Sequence, residues 1–293
     1  MNVNNENFPA RENASQIERE TQIDERGLWR SKILKPFLGR IDAVVATKEC
    51  GPGWIELRND SRFEKSHFDK DKFRLGRRII ELTREIDPEF NPREVVYPSL
   101  NHTNKVVEVT DEIVGNYREN RERLTNVDGL ITNRKGTMLM VLTADCPPIA
   151  IYDPENHAVG LFHSGWKGTV GNIAGGGIQQ MVEKYHSDPQ KLIAVIGPGH
   201  SKDYEVKQDL ADAFRNSGQF SETELDQIFI YKDEEHFNLD LHLAINLQLQ
   251  KAGIPENQIE ITSFRTDTDN DLFPSHRAEH GQADRSPFIL YLK

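Results

Sequence analysis

The sequence predicts a soluble protein of mixed helices and strands, and three observations carry that reading. Four short β-type runs, DGLIT, TMLMVLT, PIAIYD and AVGLF, crowd into residues 128–162 between clusters of turn-forming residues. Segments with a helical apolar period lie after them, one beginning near Val170 and one in LDLHLAINLQLQKAGI. Hydrophobic residues make up only 37% of the 293, yet they gather in compact runs such as LIAVIG and FILYL, which is what a core requires. One core is the simplest arrangement for a chain of this length.

In chain order, residues 1–25 are rich in Asn, Glu and Arg without a helical or strand period, so they read as a solvated arm ahead of a domain spanning 26–293. IDAVVAT is a strand, and DKFRLGRRIIELTREI is an amphipathic helix with Phe73, Ile79, Ile80 and Leu82 on its apolar side. REVVYPS and KVVEV follow as strands. The four central runs suit a meander of mixed or antiparallel strands. The helix near Val170 aligns Val170, Ile173, Ile178, Met181, Val182 and Tyr185, and LIAVIG is a buried strand. Its Ala-Gly-Gly-Gly run costs about 1 kcal/mol per interior glycine, so either the helix starts later or another backbone passes close by. Gly253 and Pro255 end the second helix, and IEITSF and SPFILYL are late strands.

A net charge of −11 argues against nucleic-acid binding, which needs a basic face to neutralise phosphates. No run approaches the roughly 18 apolar residues of a membrane span, and the polar start lacks the apolar centre of a signal peptide. A cytoplasmic location is expected. Cys50 and Cys146 are too few for a disulfide framework and read as reduced thiols.

Cys146 ends the TMLMVLT run, His163 ends AVGLF, and His102 precedes KVVEV. Neighbouring strands of a meander bring their ends to one sheet edge, so a thiolate and two imidazoles can converge there. Three such ligands with a fourth position open form the arrangement of a catalytic zinc site, and thiolate favours zinc or Cu(I) over magnesium. Spacing alone leaves the plainer reading open: an inert core cysteine and two hydrogen-bonded histidines.

DGLIT, LTADCPPIAIYDP, HSGWKG, IGPGHSKDYEV and LDLHLAINLQLQKAGI, in this order, resemble the YfiH-type family of polyphenol oxidases or laccase-domain proteins, assigned as purine nucleoside phosphorylases with adenosine deaminase activity. The resemblance covers roughly residues 40–292 and is most specific at Ala-Asp-Cys-x-Pro and His-x-Gly-Trp-x-Gly. It implies an α+β fold, mixed β-sheets packed with helical layers as α/β/β/α, in a single domain. It places a Zn²⁺ on His102, Cys146 and His163, although LNHTNKV keeps little of the family's usual Gln-Val-His-Gly. It also implies a purine nucleoside and inorganic phosphate as substrates, and no protein partner is readable.

Asp145 is then placed to orient a group bound at the metal, or is a turn residue. Trp166 is placed to stack on a purine, or is a packed indole. Phosphate calls for cations: Lys48 stands where the family has Arg, Arg277 in LFPSHR matches its Phe-Ser-Tyr/His-Arg, and Arg285 aligns with a later Gly-Arg. The family's Cys-Thr-x-Cys-x-Pro is replaced by Arg265–Asn270, where Thr266 alone carries over. Two alternatives accompany this reading. One is a hydrolase or deamidase with Cys146 as nucleophile and His163 as base, a chemistry for which a deamidase toxin of the same fold is a precedent. The other is a divergent metal- or ligand-binding relative without activity. Copper-dependent phenol oxidation is disfavoured, because multicopper sites need more histidines than two.

Overall fold

The computed structural model describes residues 22–50, 77–115, 123–233 and 235–293. The chain runs through β1 (Leu28–Arg30), β2 (Ile41–Ala46), helix α1 (residues 77–86), β3 (Val95–Val96), β4 (Val106–Glu108) and α2 (Asp111–Gly115). Strands β5 (Gly129–Thr132), β6 (Thr137–Thr143), β7 (Pro148–Asp153) and β8 (Ala158–His163) follow, then α3 (Trp166–Val170), α4 (Ile173–Tyr185) and β9 (Ile193–Ile196). Next come β10 (Tyr204–Lys207), α5 (Gln208–Asn216), α6 (Glu222–Ile228), β11 (Phe229–Tyr231) and β12 (His236–Leu239). Helix α7 (Leu241–Lys251), β13 (Ile259–Ile261) and β14 (Ser286–Leu292) complete it. Residues 1–21 of the expected arm, and the first turn of the expected 71–86 helix with Phe73, lie outside the described residues. Gln22 donates to the Arg30 carbonyl (3.1 Å), and Ile23 bridges to Trp29.

Alternation along the strands builds the layers, because successive side chains of a strand face opposite ways. In β6, Met138, Met140 and Leu142 join Ile79 and Leu82 of α1, whereas Leu139 and Val141 point into a core shared with the second sheet. In β7, Ala150 and Tyr152 enter that shared core, while Ile149 and Ile151 pack with Ile173, Ile178 and Met181 of α4 and Ile245 and Leu249 of α7. The result is helix, five-stranded sheet (β1-β2-β14-β6-β3), six-stranded sheet (β13-β9-β7-β8-β5-β4), helices. The expected α/β/β/α order is the one observed.

The four central runs are not one meander. β5, β7 and β8 pair antiparallel in the six-stranded sheet, but β6 lies between β14 and β3 in the other. Every residue of TMLMVLT is buried. A strand covered on both faces carries no periodic mark of the sheet it joins.

The helix expected near Val170 is two helices, broken where Asn172 takes φ 54° and caps α4 by accepting from the Gly175 N–H. The glycine run stays inside α4. At Gly177 it is a side chain, the Phe162 ring, that approaches, at 2.4 Å from an added Cβ. The segment LDL closes β12 and caps α7 through Asp240, which accepts from Leu243 N–H (2.9 Å), so this helix begins two residues later than its apolar period implies. A third sheet, β10-β12-β11, is absent from the sequence reading. Its strands hold three or four residues and are half-exposed, leaving little pattern to detect.

Candidate metal centre and adjoining cleft

Cys146 sits on the crossover from β6 in one sheet to β7 in the other. Pro148, which opens β7, is in register with His163 at the end of β8. The two residues meet because the chain changes sheets at this point; the expectation of two strand ends on one sheet edge is corrected. His102 enters from the loop before β4, in a left-handed conformation (φ 56°).

The side-chain donor atoms of His102, Cys146 and His163 all lie within 4.8 Å of one another. The two imidazole centroids are 5.0 Å apart at 66°. His163 is buried, Cys146 partly buried and His102 exposed, so the cluster opens to solvent on one side. The glycine of His-Ser-Gly-Trp fits this crowding: a Cβ on Gly165 would stand 2.7 Å from Cys146 Sγ and 3.2 Å from His102 Cδ2.

A buried carboxylate behind the cluster escaped the sequence reading. Asp128 is fully buried and takes a hydrogen bond on Oδ1 from His163 Nδ1 (2.8 Å). An acidic residue opening the buried strand GLIT was the available signal. Hydrogen bonding to His163 and to Thr103 outweighs burial and holds its pKa down to about 2. For Cys146, burial works against the thiolate, but His163 and His102 outweigh it and the thiol falls to about 6. Burial likewise opposes the charge on His163, and the Cys146 thiolate and the Asp128 carboxylate push it up to about 10. A ready thiolate is the form in which cysteine ligates metal or attacks an electrophile.

Both oxygens of Asp145 are engaged: Oδ1 accepts from the Thr266 hydroxyl (2.6 Å) and Oδ2 from the Arg277 backbone N–H (2.7 Å). The residue adopts φ 82°, and its carbonyl accepts from the His200 N–H (2.8 Å). Thr266, the one position carried over in its segment, thus ties to the residue beside the cysteine.

A cleft of about 290 Å³ is lined by Trp166, Tyr204, Asp209, His236 and Arg277, among others. It adjoins the cluster, since Trp166 follows Gly165 and the Arg277 N–H rests on Asp145. The Arg277 guanidinium lies 4.7 Å from the Tyr204 ring centroid, a cation–π distance. Lys48 and Arg285 do not line this cleft. Lys48 Nζ donates to Glu279 Oε1 (2.9 Å) and the Asn270 carbonyl (2.6 Å), and Arg285 Nη1 to the carbonyls of Ala283 (2.9 Å) and Asp284 (3.0 Å).

Two nitrogens and a thiolate suit zinc, and they fit its usual three-ligand catalytic set. Among the described residues this is the one cluster of three or more His, Cys, Asp or Glu donors, fewer histidines than a multicopper centre requires. Cys50 is also a free thiol, pushed by burial up to about 11. Among the described residues no helix is long and apolar enough to cross a membrane.

Comparison with known proteins gives a consistent set. The family profile described as multi-copper polyphenol oxidoreductase laccase matches residues 75–292. A protein of Staphylococcus saprophyticus named purine nucleoside phosphorylase is 36% identical over 196 residues, covering 66% of this chain and 72% of its own. Purine nucleoside phosphorylase YlmD of Bacillus subtilis is 34% identical over 200 residues, covering 68% and 70%. The crystal structure of the Bacillus licheniformis hypothetical protein YfiH superposes with a TM-score of 0.79 at 26% identity, over 93% of this chain and 98% of that one.

Proposed function

Because the chain belongs to the family described as multi-copper polyphenol oxidoreductase laccase, with curated relatives named purine nucleoside phosphorylase, we propose that it is a zinc-dependent purine nucleoside phosphorylase with adenosine deaminase activity at the same site. The observation that carries the reading is the gathering of His102, Cys146 and His163 within 4.8 Å, beside a cleft lined by Trp166 and Arg277. Bound by those three residues, a zinc ion would supply Lewis-acid chemistry to a substrate in the cleft.

The chain's own residues do the remainder. In phosphorolysis an oxygen of inorganic phosphate bonds to ribose C1′ while the C1′–N9 bond breaks, and the purine leaves with that electron pair and is protonated. Positive charge develops on the sugar, so the phosphate must be held against it. Arg277 brings the cation: its N–H on Asp145 fixes the backbone and the Tyr204 ring supports the guanidinium. Lys48, on Glu279, and Arg285, on the Ala283 and Asp284 carbonyls, lie outside the cleft lining, so Arg277 is the cation this reading places against the phosphate. Trp166, which lines the cleft while packing on the core around Phe214 and Leu241, is the indole available to a purine there, and Asp145 keeps the Arg277 loop against the cysteine.

A second reading has a specific observation behind it. His163 donates to Asp128 through Nδ1 (2.8 Å), and against the effect of burial it and His102 together lower the Cys146 thiol to about 6, as in a Cys-His-Asp nucleophilic site. Elemental analysis of the purified protein, with adenosine and inosine turnover measured with and without phosphate, separates the possibilities. The phosphorylase reading expects about one zinc per chain and phosphate-dependent release of the base. It fails if zinc-loaded protein consumes neither nucleoside. Acyl-group hydrolysis that survives chelation would establish the nucleophile instead. Zinc retained without any turnover would mark a binding protein.

A further inference from the structure

Asp128 does more than face one histidine. Its two oxygens collect donors from three consecutive backbone positions: the N–H groups of Asn101 (3.2 Å, Oδ2), His102 (3.0 Å, Oδ1) and Thr103 (2.7 Å, Oδ2). The Thr103 hydroxyl adds a fourth bond (2.8 Å, Oδ2) and His163 Nδ1 a fifth (2.8 Å, Oδ1). The Asp128 main chain takes part too, its carbonyl accepting from the His163 N–H (2.7 Å) and its N–H donating to the Lys105 carbonyl (3.1 Å). One buried side chain therefore touches the loop that carries His102 and the ring of His163.

We infer that Asp128 is the positioning residue of the His102–Cys146–His163 cluster, setting the ligand nitrogen of His163 and the loop conformation of His102 with a single carboxylate. This rests on the metal-centre reading above.

Two physical steps lead there. An imidazole that donates Nδ1–H to a buried carboxylate has only Nε2 left for a ligand, and the acceptor also fixes the ring's rotation. For His102 the constraint acts through the backbone. A non-glycine residue at φ 56° is held against its usual preference, and successive N–H groups converging on one anion supply the hold. Two histidines from distant parts of the chain are thereby referred to one rigid point at the start of β5, where Gly129 pairs with Phe162 beside His163. Asparagine in place of Asp128 offers one oxygen for donors that now use two, so it must abandon either the Oδ1 pair with both histidines or the Oδ2 set.

The test compares wild type with D128N. Zinc affinity is measured by competition with a chromophoric chelator well below the thermal midpoint of each protein. The cobalt-loaded forms are compared by absorption, where thiolate-to-cobalt charge transfer reports Cys146. We expect affinity to fall about 10- to 100-fold in D128N with the charge-transfer band retained, since the sulfur ligand is not the one disturbed. A purely structural role would lower the thermal midpoint and leave the affinity of the folded protein unchanged, and that result would overturn the inference. Should D128N not fold, imidazole nitrogen NMR of wild type decides: zinc on His163 Nε2 with Nδ1 protonated supports the assignment, and zinc on Nδ1 overturns it. If wild type binds no metal, the metal-centre reading fails by itself. The role of Asp128 is then read from the His163 Nδ1 proton, which should be protected from solvent exchange in wild type; an unprotected proton refutes it.

Discussion

Gly165 is the residue on which the geometry of the cluster can be tested without removing a donor atom. A methyl there would stand 2.7 Å from Cys146 Sγ, inside any real contact distance, and 3.2 Å from the His102 ring. Gly165→Ala should therefore keep all three donors and still lose most metal uptake, measured by elemental analysis, along with nucleoside turnover; unchanged zinc content would mean the sulfur and the ring do not share an ion. Cys146→Ala tests the chemistry instead. It should lose both zinc and turnover, whereas a Cys-His hydrolase would lose only turnover, having bound no metal at the start. Cys146 and His163 were legible in the sequence because Ala-Asp-Cys-Pro-Pro and His-Ser-Gly-Trp are compact motifs. Asp128 was not, because its role is spread over Asn101, His102, Thr103 and His163, three of them some 25 residues upstream in a loop with no local pattern. Asp145 was legible as a position and not as a set of contacts: nothing near it in sequence announces Thr266 or the Arg277 backbone.

Helix α4 shows how far a periodic reading reaches at the level of one element. The apolar stripe Ile173, Ile178, Met181 and Tyr185 is buried as its spacing requires, while the break before it depends on Asn172 turning left-handed, which no propensity dictates. The glycines within α4 make a paired prediction. At Gly177 an added Cβ would meet the Phe162 ring at 2.4 Å, and overpacking of about 1–3 kcal/mol exceeds the roughly 1 kcal/mol that alanine gains in helix propensity. At Gly176 nothing lies within 4 Å, so only the propensity gain operates. Unfolding free energies from denaturant titration should then fall for Gly177→Ala and rise for Gly176→Ala by up to about 1 kcal/mol, and equal shifts would refute this packing of α4 on β8. The N-terminus of α6 gives a cleaner case. Ser221 and Glu224 form a reciprocal capping box, each side chain accepting from the other's backbone N–H, so Ser221→Ala should cost about 1 kcal/mol in the same measurement.

At the scale of the molecule, the layer order follows from alternation along β6, β7, β8, β9 and β14, but the assignment of β6 to the five-stranded sheet is decided by β14, a partner almost 150 residues away that pairs with it over its full length. Long-range pairing of this kind leaves no local trace, and the same holds for the seat of His242, whose imidazole is 2% exposed where α7 abuts the end of β9. Its Nε2 donates to the Gly197 carbonyl (3.2 Å), and its Nδ1 is buried without a hydrogen-bond partner. A second proton at Nδ1 would find no acceptor; burial first, then the Arg265 charge, depress the pKa from 6.5 to about 3. The unfolded chain takes up a proton near 6.5 and the folded protein does not until about 3, so between those values the unfolded state holds more protons and stability rises with pH. The contribution is complete above 6.5 and is lost as the pH falls toward 3, with a slope of at most about 1.4 kcal/mol per pH unit. Carboxylates such as Asp128 add a loss of the same sign at lower pH, which His242→Gln shares with wild type and which therefore cancels in the difference. Urea unfolding of both proteins between pH 7.5 and 4.5 should show wild type losing its advantage over His242→Gln as the solution is acidified, and parallel curves would mean that this imidazole is not held neutral in the fold.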